Sequence, residues 1–231
     1  MTVKDKVVAV TGGFGVLGLA VVEAALADGA SVAVLDRVEA PAGLAQRLGA
    51  KAGLWGGVDI ADPNAAAATF GAVAERFGGV DALINIAGTF RWETLEQGSV
   101  ATWDFLYQVN VKTAVCASKA ALGHLVARKG HIVNIGAYGA VKAGAGMGPY
   151  AASKAGVHKL TEALAEELKG RVTVNAVMPS IIDTPVNRAD MPDADFSKWV
   201  APRDLAAVIL FLASDAAKAV TGALVPVLGQ V

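Results

Sequence analysis

Two titratable side chains stand four residues apart in the stretch from Tyr150 to Lys154. That spacing places both on one face of a helix, one turn apart. A phenol ordinarily titrates near ~10. An ammonium beside it favours the ionised form, so the pair predicts a general acid/base with a lowered tyrosine pKa. The same spacing also occurs in ordinary exposed helices, so its meaning depends on the rest of the chain.

A glycine-rich turn near the N-terminus follows an apolar, β-branched stretch, residues 7–10, and precedes a helical pattern, residues 19–27. Glycines at 13, 15 and 18 spell G-x-G-x-x-G, a spacing typical of dinucleotide-binding turns. Glycine permits the tight turn and lets backbone N–H groups approach a pyrophosphate at the helix N-terminus. The predicted cofactor contacts of this turn are Gly12, Gly13, Phe14, Gly15, Val16, Leu17 and Gly18.

The acidic residue Asp36 ends the next apolar stretch, residues 31–35. At that distance from the glycines a carboxylate can accept hydrogen bonds from the adenosine ribose and repel a 2′-phosphate. The sequence therefore favours NAD. Arg37 leaves NADP open, because its guanidinium could bind that phosphate.

Short apolar stretches alternate with helical patterns along the whole chain. Strands are predicted at residues 7–10, 31–35, 52–58, 82–88, 131–135, 172–176 and 223–227. Helices are predicted at residues 19–27, 41–48, 63–77, 100–127, 150–169 and 203–213. This alternation predicts an α/β fold with one Rossmann-type domain over residues 1–231, a doubly wound parallel sheet of about seven strands with helices on both faces. Residues that follow the strand ends are expected to line one crevice.

The composition argues against several classes of protein. Lys+Arg 20 against Asp+Glu 21 indicates no polyanion or nucleic-acid partner. A single cysteine, Cys116, excludes an intramolecular disulfide and fits a reducing compartment. The first residues imitate a secretory signal, but their glycines suit the nucleotide-binding turn better. We expect a soluble cytoplasmic protein with no membrane partner and no metal site.

With these residues placed, the chain resembles a short-chain dehydrogenase/reductase over its whole length. The shared marks are Thr11, Gly12 and Gly18, Asp59, the stretch from Asn85 to Gly88, Asn110, the Tyr150/Lys154 pair, and residues 179–184. The resemblance implies a nicotinamide cofactor, a small-molecule substrate and a homodimer or homotetramer. It implies that Tyr150 gives or takes a proton, that Lys154 binds the nicotinamide ribose and lowers the tyrosine pKa, and that Asn110 supports a water-linked proton path.

The same resemblance supplies the remaining cofactor contacts. Asp59, with its neighbour Ile60, would hold the adenine, and the Ile182 backbone with Thr184 would hold the carboxamide. Asn85, Ala87, Gly88 and Pro179 complete the predicted set. The helices that hold Asn110 and Tyr150 are expected to present small residues to a partner subunit, namely Ala114, Ala117, Ala120 and Ala121.

Two positions depart from the family pattern. Val16 stands where the middle glycine of the usual G-x-x-x-G-x-G is expected, and Ala137 stands where the catalytic serine is expected. Ala137 cannot donate a hydrogen bond to a developing alkoxide, a loss that costs on the order of 10²–10³ in rate in known cases.

Both departures resemble those of one branch of the family, the dihydropteridine reductases. Residues 183–199 are similar to the segment that follows strand six in that branch, as are Gly146-Met147 and His158. A quinonoid dihydropterin disperses charge over ring nitrogens, so reducing it forms no localised alkoxide and the lost serine matters less. One alternative is a carbonyl reductase or alcohol dehydrogenase in which Tyr138 or a water replaces the serine. Another is an NAD(P)-binding sensor without turnover, which the retained Tyr150 and Lys154 argue against.

Several residues are expected to contact or cover the substrate. Ala137 and Tyr138 follow a strand end beside Tyr150, and a mobile lid is predicted over residues 183–202 with its substrate contacts at Met191, Phe196 and Trp199. Tyr138 is more simply explained as a packing residue. His124 and His131 are predicted at the surface. Packing explains Trp92, Trp103 and Phe105 more simply than substrate contact does.

Overall fold

The computed structural model describes residues 2–231, which form one seven-stranded sheet with every strand parallel to its neighbours. The strands are β1 Val7–Thr11, β2 Ser31–Leu35, β3 Ala52–Trp55, β4 Ala82–Asn85, β5 His131–Ile135, β6 Thr173–Pro179 and β7 Leu224–Val227. Their order in the sheet is β3-β2-β1-β4-β5-β6-β7. The order reverses between β1 and β4, and ligands bind beyond the strand ends at such a point.

Within residues 2–231, eight α-helices connect the strands: α1 Val16–Ala27, α2 Leu44–Leu48, α3 Pro63–Phe77, α4 Val100–Tyr107, α5 Thr113–Arg128, α6 Gly148–Glu167, α7 Pro185–Asp190 and α8 Pro202–Leu212. Local sequence accounts for several of their ends. Asp62 caps α3 by accepting a hydrogen bond from Asn64 N at 2.8 Å, Pro63 occupies the first turn, and Gly78 ends the helix in the left-handed region at φ 78°. No helix of residues 2–231 is long and apolar enough to cross a membrane.

Both faces of the sheet are covered, which explains why its strands read as continuous apolar runs. On one face α1 and α8 pack together through Val21, Val22, Leu205 and Ile209. On the other face α3 and α5 bury Phe70, Leu125 and neighbouring side chains against the sheet. These two layers hold the carboxyl ends of β1, β2 and β4 in fixed register.

The helix predicted over residues 100–127 is interrupted by a π-helical turn, Gln108–Lys112. A second prediction about this region is wrong for three of four residues. Ala114, Ala117 and Ala121 are buried within the chain rather than available to a partner subunit. Their small side chains let α5 approach α3 and the sheet closely.

His131 lies in the interior, so the prediction that it is a surface residue is wrong. It opens β5 at 1% exposure, with its Nδ1 2.8 Å from the Thr173 hydroxyl and its Nε2 3.4 Å from an Asp215 oxygen. Burial is the main cause that lowers the pKa of this imidazole, although Asp215 opposes it. The ring is therefore a neutral, hydrogen-bonded part of the protein interior at the start of β5.

The edge strand β7 pairs with β6 through hydrogen bonds from Ala176 N to Ala223 O and from Ser180 N to Val227 O. In a parallel pair only alternate residues bond to the neighbouring strand. Residues 223, 225 and 227 therefore face β6, and the backbone of Pro226 faces outward.

Candidate active site

A crevice of about 630 Å³ opens where the sheet order reverses, at the carboxyl ends of the central strands. It brings together twelve of the residues predicted to bind a cofactor. They are Gly12, Gly15, Val16, Leu17, Gly18, Asp36, Arg37, Asp59, Ile60, Ala87, Gly88 and Thr184. Residues that are distant along the chain thus share one surface.

Glycine is sterically required at three positions of the turn after β1, and at Gly13 a Cβ would collide with a side chain of β2. Gly12 has φ +66°, and a Cβ there would lie 2.8 Å from Ala87 N. A Cβ on Gly18 would collide with the Gly12 carbonyl oxygen, so α1 packs directly on the turn. Gly15 differs, because its Cβ would make only an ordinary contact at 3.4 Å. Close packing therefore depends on Gly12, Gly13 and Gly18, and Gly15 leaves the mouth of the crevice open.

The N-terminus of α1 is suited to an anion. No side chain caps it, and its first turn holds no acidic residue, so its first N–H groups remain for a ligand. Asp36 fixes the turn beside it, accepting hydrogen bonds from Phe14 N at 3.0 Å and Val38 N at 3.3 Å. The residues present therefore fit a dinucleotide, with the pyrophosphate at α1 and the adenosine ribose near Asp36.

Tyr150 and Lys154 project from the first turns of α6. Lys154 is 6% exposed, and its Nζ donates a hydrogen bond to the Ile135 carbonyl at 2.8 Å. A Cβ on Gly88 would lie 3.3 Å from that Nζ and 2.8 Å from Asn110 Oδ1. Since Gly88 lines the crevice, the ammonium lies directly behind the crevice wall.

The Tyr150 phenol is protonated at neutral pH. Burial raises its pKa to about 12, and burial lowers the pKa of Lys154 to about 8. The expectation that Lys154 lowers the tyrosine pKa is therefore wrong for this structure. Lys154 directs its proton to Ile135 O, and the phenol ring packs edge-to-face with Phe90 at a centroid separation of 4.9 Å. Loss of solvent dominates both groups, which leaves Tyr150 as a proton donor.

Asn110 lies in the π-helical turn and joins the crevice wall to α6. Its Oδ1 accepts from Thr89 N at 2.7 Å, and its Nδ2 donates to Thr89 O at 3.0 Å and Ser153 Oγ at 2.9 Å. Ser153 Oγ in turn donates to the Tyr150 carbonyl at 2.7 Å. Asn110 thus fixes the backbone on which Phe90 and Tyr150 meet.

Comparison with known proteins shows which family and which relatives this chain is similar to. The family model described as short chain dehydrogenase matches residues 6–195. The chain is 33% identical to 2-(S)-hydroxypropyl-CoM dehydrogenase 3 of Xanthobacter autotrophicus, covering 95% of this chain and 94% of that protein. It is 32% identical to the 3-oxoacyl-[acyl-carrier-protein] reductase FabG of Vibrio cholerae, covering 96% of this chain and 95% of that protein.

The chain belongs to the short-chain dehydrogenase family. A solved short-chain type dehydrogenase/reductase from Mycobacterium ulcerans matches it with a TM-score of 0.91 and 26% identity, covering 100% of this chain and 90% of that one. Membership makes the protein an oxidoreductase with a nicotinamide cofactor, NAD(P). The names of these relatives do not support a dihydropterin acceptor.

Several contacts expected of a short-chain dehydrogenase lie away from the crevice. The Asn85 side chain is buried between strands, donating to Ser118 Oγ at 3.2 Å and Asn134 Oδ1 at 2.9 Å. Pro179 is buried as the last residue of β6. Trp199, predicted on the lid, is 8% exposed. Asn85 and Pro179 are buried within the sheet, and Trp199 is buried near the C-terminal segment. All three side chains are therefore less accessible to a ligand than the sequence predicts.

The predicted lid is anchored at its far end. Val200 N donates to Ile181 O and Gln230 N donates to Lys198 O, both at 2.9 Å, and Phe196 packs on Trp199 at 4.8 Å between centroids. Thr184 reaches the crevice at the near end, where it caps α7. Met191 and Phe196 lie outside the crevice lining, as do Ile182 and the buried Ala137.

The crevice wall also contains residues that the sequence did not predict, namely Thr89, Gln108, Val109, Thr113 and Val186. Phe105, expected to be a packing residue, lines the crevice as well. Tyr138 is 45% exposed beside Ala137. Only the position of Thr89, directly after the stretch from Asn85 to Gly88, signalled its place in advance. The others come from α4, the π-helical turn, the start of α5 and α7, whose orientations depend on tertiary contacts.

Proposed function

We propose that this chain is an NADH-dependent reductase that protonates a small planar acceptor, such as a quinonoid dihydropterin, through Tyr150. The observation that carries the proposal is the buried Ala137, without a hydroxyl, at the end of β5 near an intact Tyr150 and Lys154. An acceptor that disperses charge over a ring does not require the missing donor. The exposed ring of Phe90, which packs edge-to-face with Tyr150, and the exposed ring of Tyr138, which follows Ala137, suit a flat, apolar ligand.

The roles of the chain's own residues follow from their positions. When bound, the cofactor supplies hydride to the acceptor. The uncapped α1 N-terminus and Gly12 would hold the pyrophosphate, and Asp36 would hold the adenosine ribose. The protonated Tyr150 phenol donates its proton to the acceptor, and the Lys154 ammonium stays fixed against the Ile135 carbonyl behind the crevice wall.

A preference for NADH follows from the carboxylate of Asp36 in the crevice wall. Like charges placed side by side cost several kcal/mol, so we expect kcat/KM for NADH to exceed that for NADPH at least about tenfold. Asp36→Ser would reduce this ratio, because Arg37 also lines the crevice and would bind the 2′-phosphate. Equal kcat/KM values for the two cofactors in the wild-type enzyme would contradict the preference.

The acceptor is tested with the wild-type enzyme and Ala137→Ser, using quinonoid dihydropterin and simple ketones with NADH. We expect the wild type to reduce the pterin and to reduce ketones poorly. The added hydroxyl would raise ketone turnover by about 10²-fold, the scale of one such donor, and leave pterin turnover nearly unchanged. Good ketone turnover by the wild type without pterin reduction would end the pterin proposal.

A carbonyl reductase or alcohol dehydrogenase is the second candidate function. The Tyr138 hydroxyl favours it, since this half-exposed residue directly follows Ala137 and could donate in place of serine. Tyr138→Phe would then reduce ketone turnover by about the same 10²-fold. If bound NADH keeps its fluorescence when pterins, quinones and ketones are added, a cofactor-binding sensor would replace both candidates.

A homo-oligomer is proposed through one side of the α4–α5 unit. Large apolar residues are exposed there at helical spacing, Val100, Trp103, Tyr107 and Val115. Trp103→Glu is expected to yield monomers in light scattering, and Val141→Glu, an exposed apolar residue outside these helices, is expected to leave the assembly intact. A monomeric wild type would contradict the proposal. The cytoplasmic location stays a prediction.

A further inference from the structure

We infer that His158 is a positioning residue whose imidazole acts with Lys154 to hold the backbone turn that follows β5 and carries Ala137. The inference rests on the proposed catalytic role of Tyr150 and Lys154. His158 stands four residues after Lys154, so both side chains leave the same face of α6.

Three consecutive residues of the turn are fixed by three separate hydrogen bonds. Ile135 O accepts from Lys154 Nζ at 2.8 Å, and Gly136 N donates to Val177 O at 2.9 Å. Ala137 N donates to His158 Nε2 at 3.2 Å. Two of the three partners are therefore α6 side chains, one charged and one neutral.

The imidazole also fills the space beneath the turn. A Cβ on Gly136 would collide with His158 Nε2 and would lie 2.6 Å from His158 Cδ2. His158 is itself 6% exposed. Glycine at 136 leaves room for the ring, and a substitution on either side would displace the other.

The hydrogen bond requires an unprotonated Nε2, with the ring proton on Nδ1. Burial is the main cause that lowers the pKa of His158. The Lys154 ammonium lowers it further, Glu162 raises it, and Lys159 lowers it. These three charged groups all lie on α6, and β6 places the uncharged Val177 carbonyl at the turn. A protonated ring would lose the bond to Ala137 N and place a second cation near Lys154.

Loosening this turn would displace two groups at once. The carbonyl that orients the Lys154 ammonium and the backbone of Ala137 both belong to it, so the ammonium and Ala137 would move together. The crevice that would bind the cofactor is formed by other elements. Loss of the imidazole is therefore expected to lower kcat without weakening NADH binding.

The test compares His158→Leu, which removes the acceptor, with His158→Gln, whose side-chain oxygen can accept the same bond without titrating. We expect His158→Leu to lower kcat about tenfold, the effect of about one lost hydrogen bond, with the NADH Kd within about twofold of wild type. We expect the wild type to lose activity at acid pH, where the ring becomes protonated, and His158→Gln to retain most of kcat without that loss. His124→Gln, which changes a histidine outside the site, would match the wild type.

A second measurement is independent of turnover. Hydrogen exchange of the Ala137 amide in the full-length protein should be slow in the wild type and His158→Gln, and faster in His158→Leu. Two results would overturn the inference. One is equal kcat values for the two variants together with a loss of activity at acid pH that neither variant changes. The other is equal hydrogen exchange of the Ala137 amide in all three proteins. If His158→Leu does not fold, the inference is overturned when His158→Gln still loses activity at acid pH as the wild type does. A wild type with no turnover of any acceptor would instead refute the proposed function, and the exchange result would still decide the role of His158.

Discussion

Replacing Lys154 by methionine tests whether burial of this ammonium destabilises the folded protein. Burial lowers the pKa of Lys154 from 10.5 to about 8, whereas the unfolded chain keeps the ordinary value. Because the folded pKa is the lower one, the unfolded chain binds one more proton between about pH 8 and 10.5, and stability rises with pH across that window. At ~1.36 kcal/mol per pH unit, the expected rise is about 3 kcal/mol.

The assay is urea unfolding followed by tryptophan fluorescence between pH 7.5 and 10.5, without cofactor and at one protein concentration. Losing the hydrogen bond to Ile135 O shifts the variant by an amount that changes little with pH. The difference in unfolding free energy, wild type minus Lys154→Met, therefore isolates the titration and is expected to rise by about 3 kcal/mol.

Lys159→Met is the matched control on the same helix. Its side chain is 78% exposed and pairs with Glu162 at 2.7 Å, so its difference from wild type is expected to stay within about 1 kcal/mol at every pH. A flat difference for Lys154→Met as well would refute the reasoning from burial.

Three further predictions concern residues that position the site. Gly18→Ala is expected to lose about 1–3 kcal/mol of stability through collision with the Gly12 carbonyl, and Gly15→Ala, whose Cβ makes only an ordinary van der Waals contact, is expected to stay within about 0.5 kcal/mol in the same denaturant titration. Asn110→Leu would leave Thr89 N–H and C=O unpaired. A loss of about 3 kcal/mol and a lower kcat are expected from melts and kinetics, and unchanged stability would contradict the role of Asn110. The lowered pKa of His131 makes the unfolded chain bind the extra proton as pH falls below its ordinary 6.5, so wild-type stability is expected to fall there, and His131→Gln is expected to remove part of that dependence in melts at pH 5 and 7.

Much of the fold was predictable because each strand is buried on both faces and so reads as an apolar run. All seven strands form near their predicted positions. Residues 56–58 and 86–88 were assigned to strands by their composition but turn away into the crevice, with Gly57 at φ +69°. The glycine turn and Asp36 were predictable because backbone conformation and a strand end fix their places locally.

The remaining features depend on contacts between distant segments. The π-helical turn at Asn110 forms where the asparagine bonds to Thr89 and Ser153, and no local residue pattern marks it. Trp199 is pinned by hydrogen bonds that link its neighbours to residues 181 and 230. The direction of the Tyr150 pKa depends on how deeply the fold buries the ring, which helical spacing alone does not reveal.

Pro226 at the outer margin of β7 has a consequence for association in crowded solution. A strand that lacks a backbone N–H donor at its free edge cannot form a continuous ladder of main-chain hydrogen bonds with a strand from another molecule. Sheet-to-sheet polymerisation along this border is therefore disfavoured, and Pro226→Val, which restores that donor, is expected to make the protein more prone to fibrils.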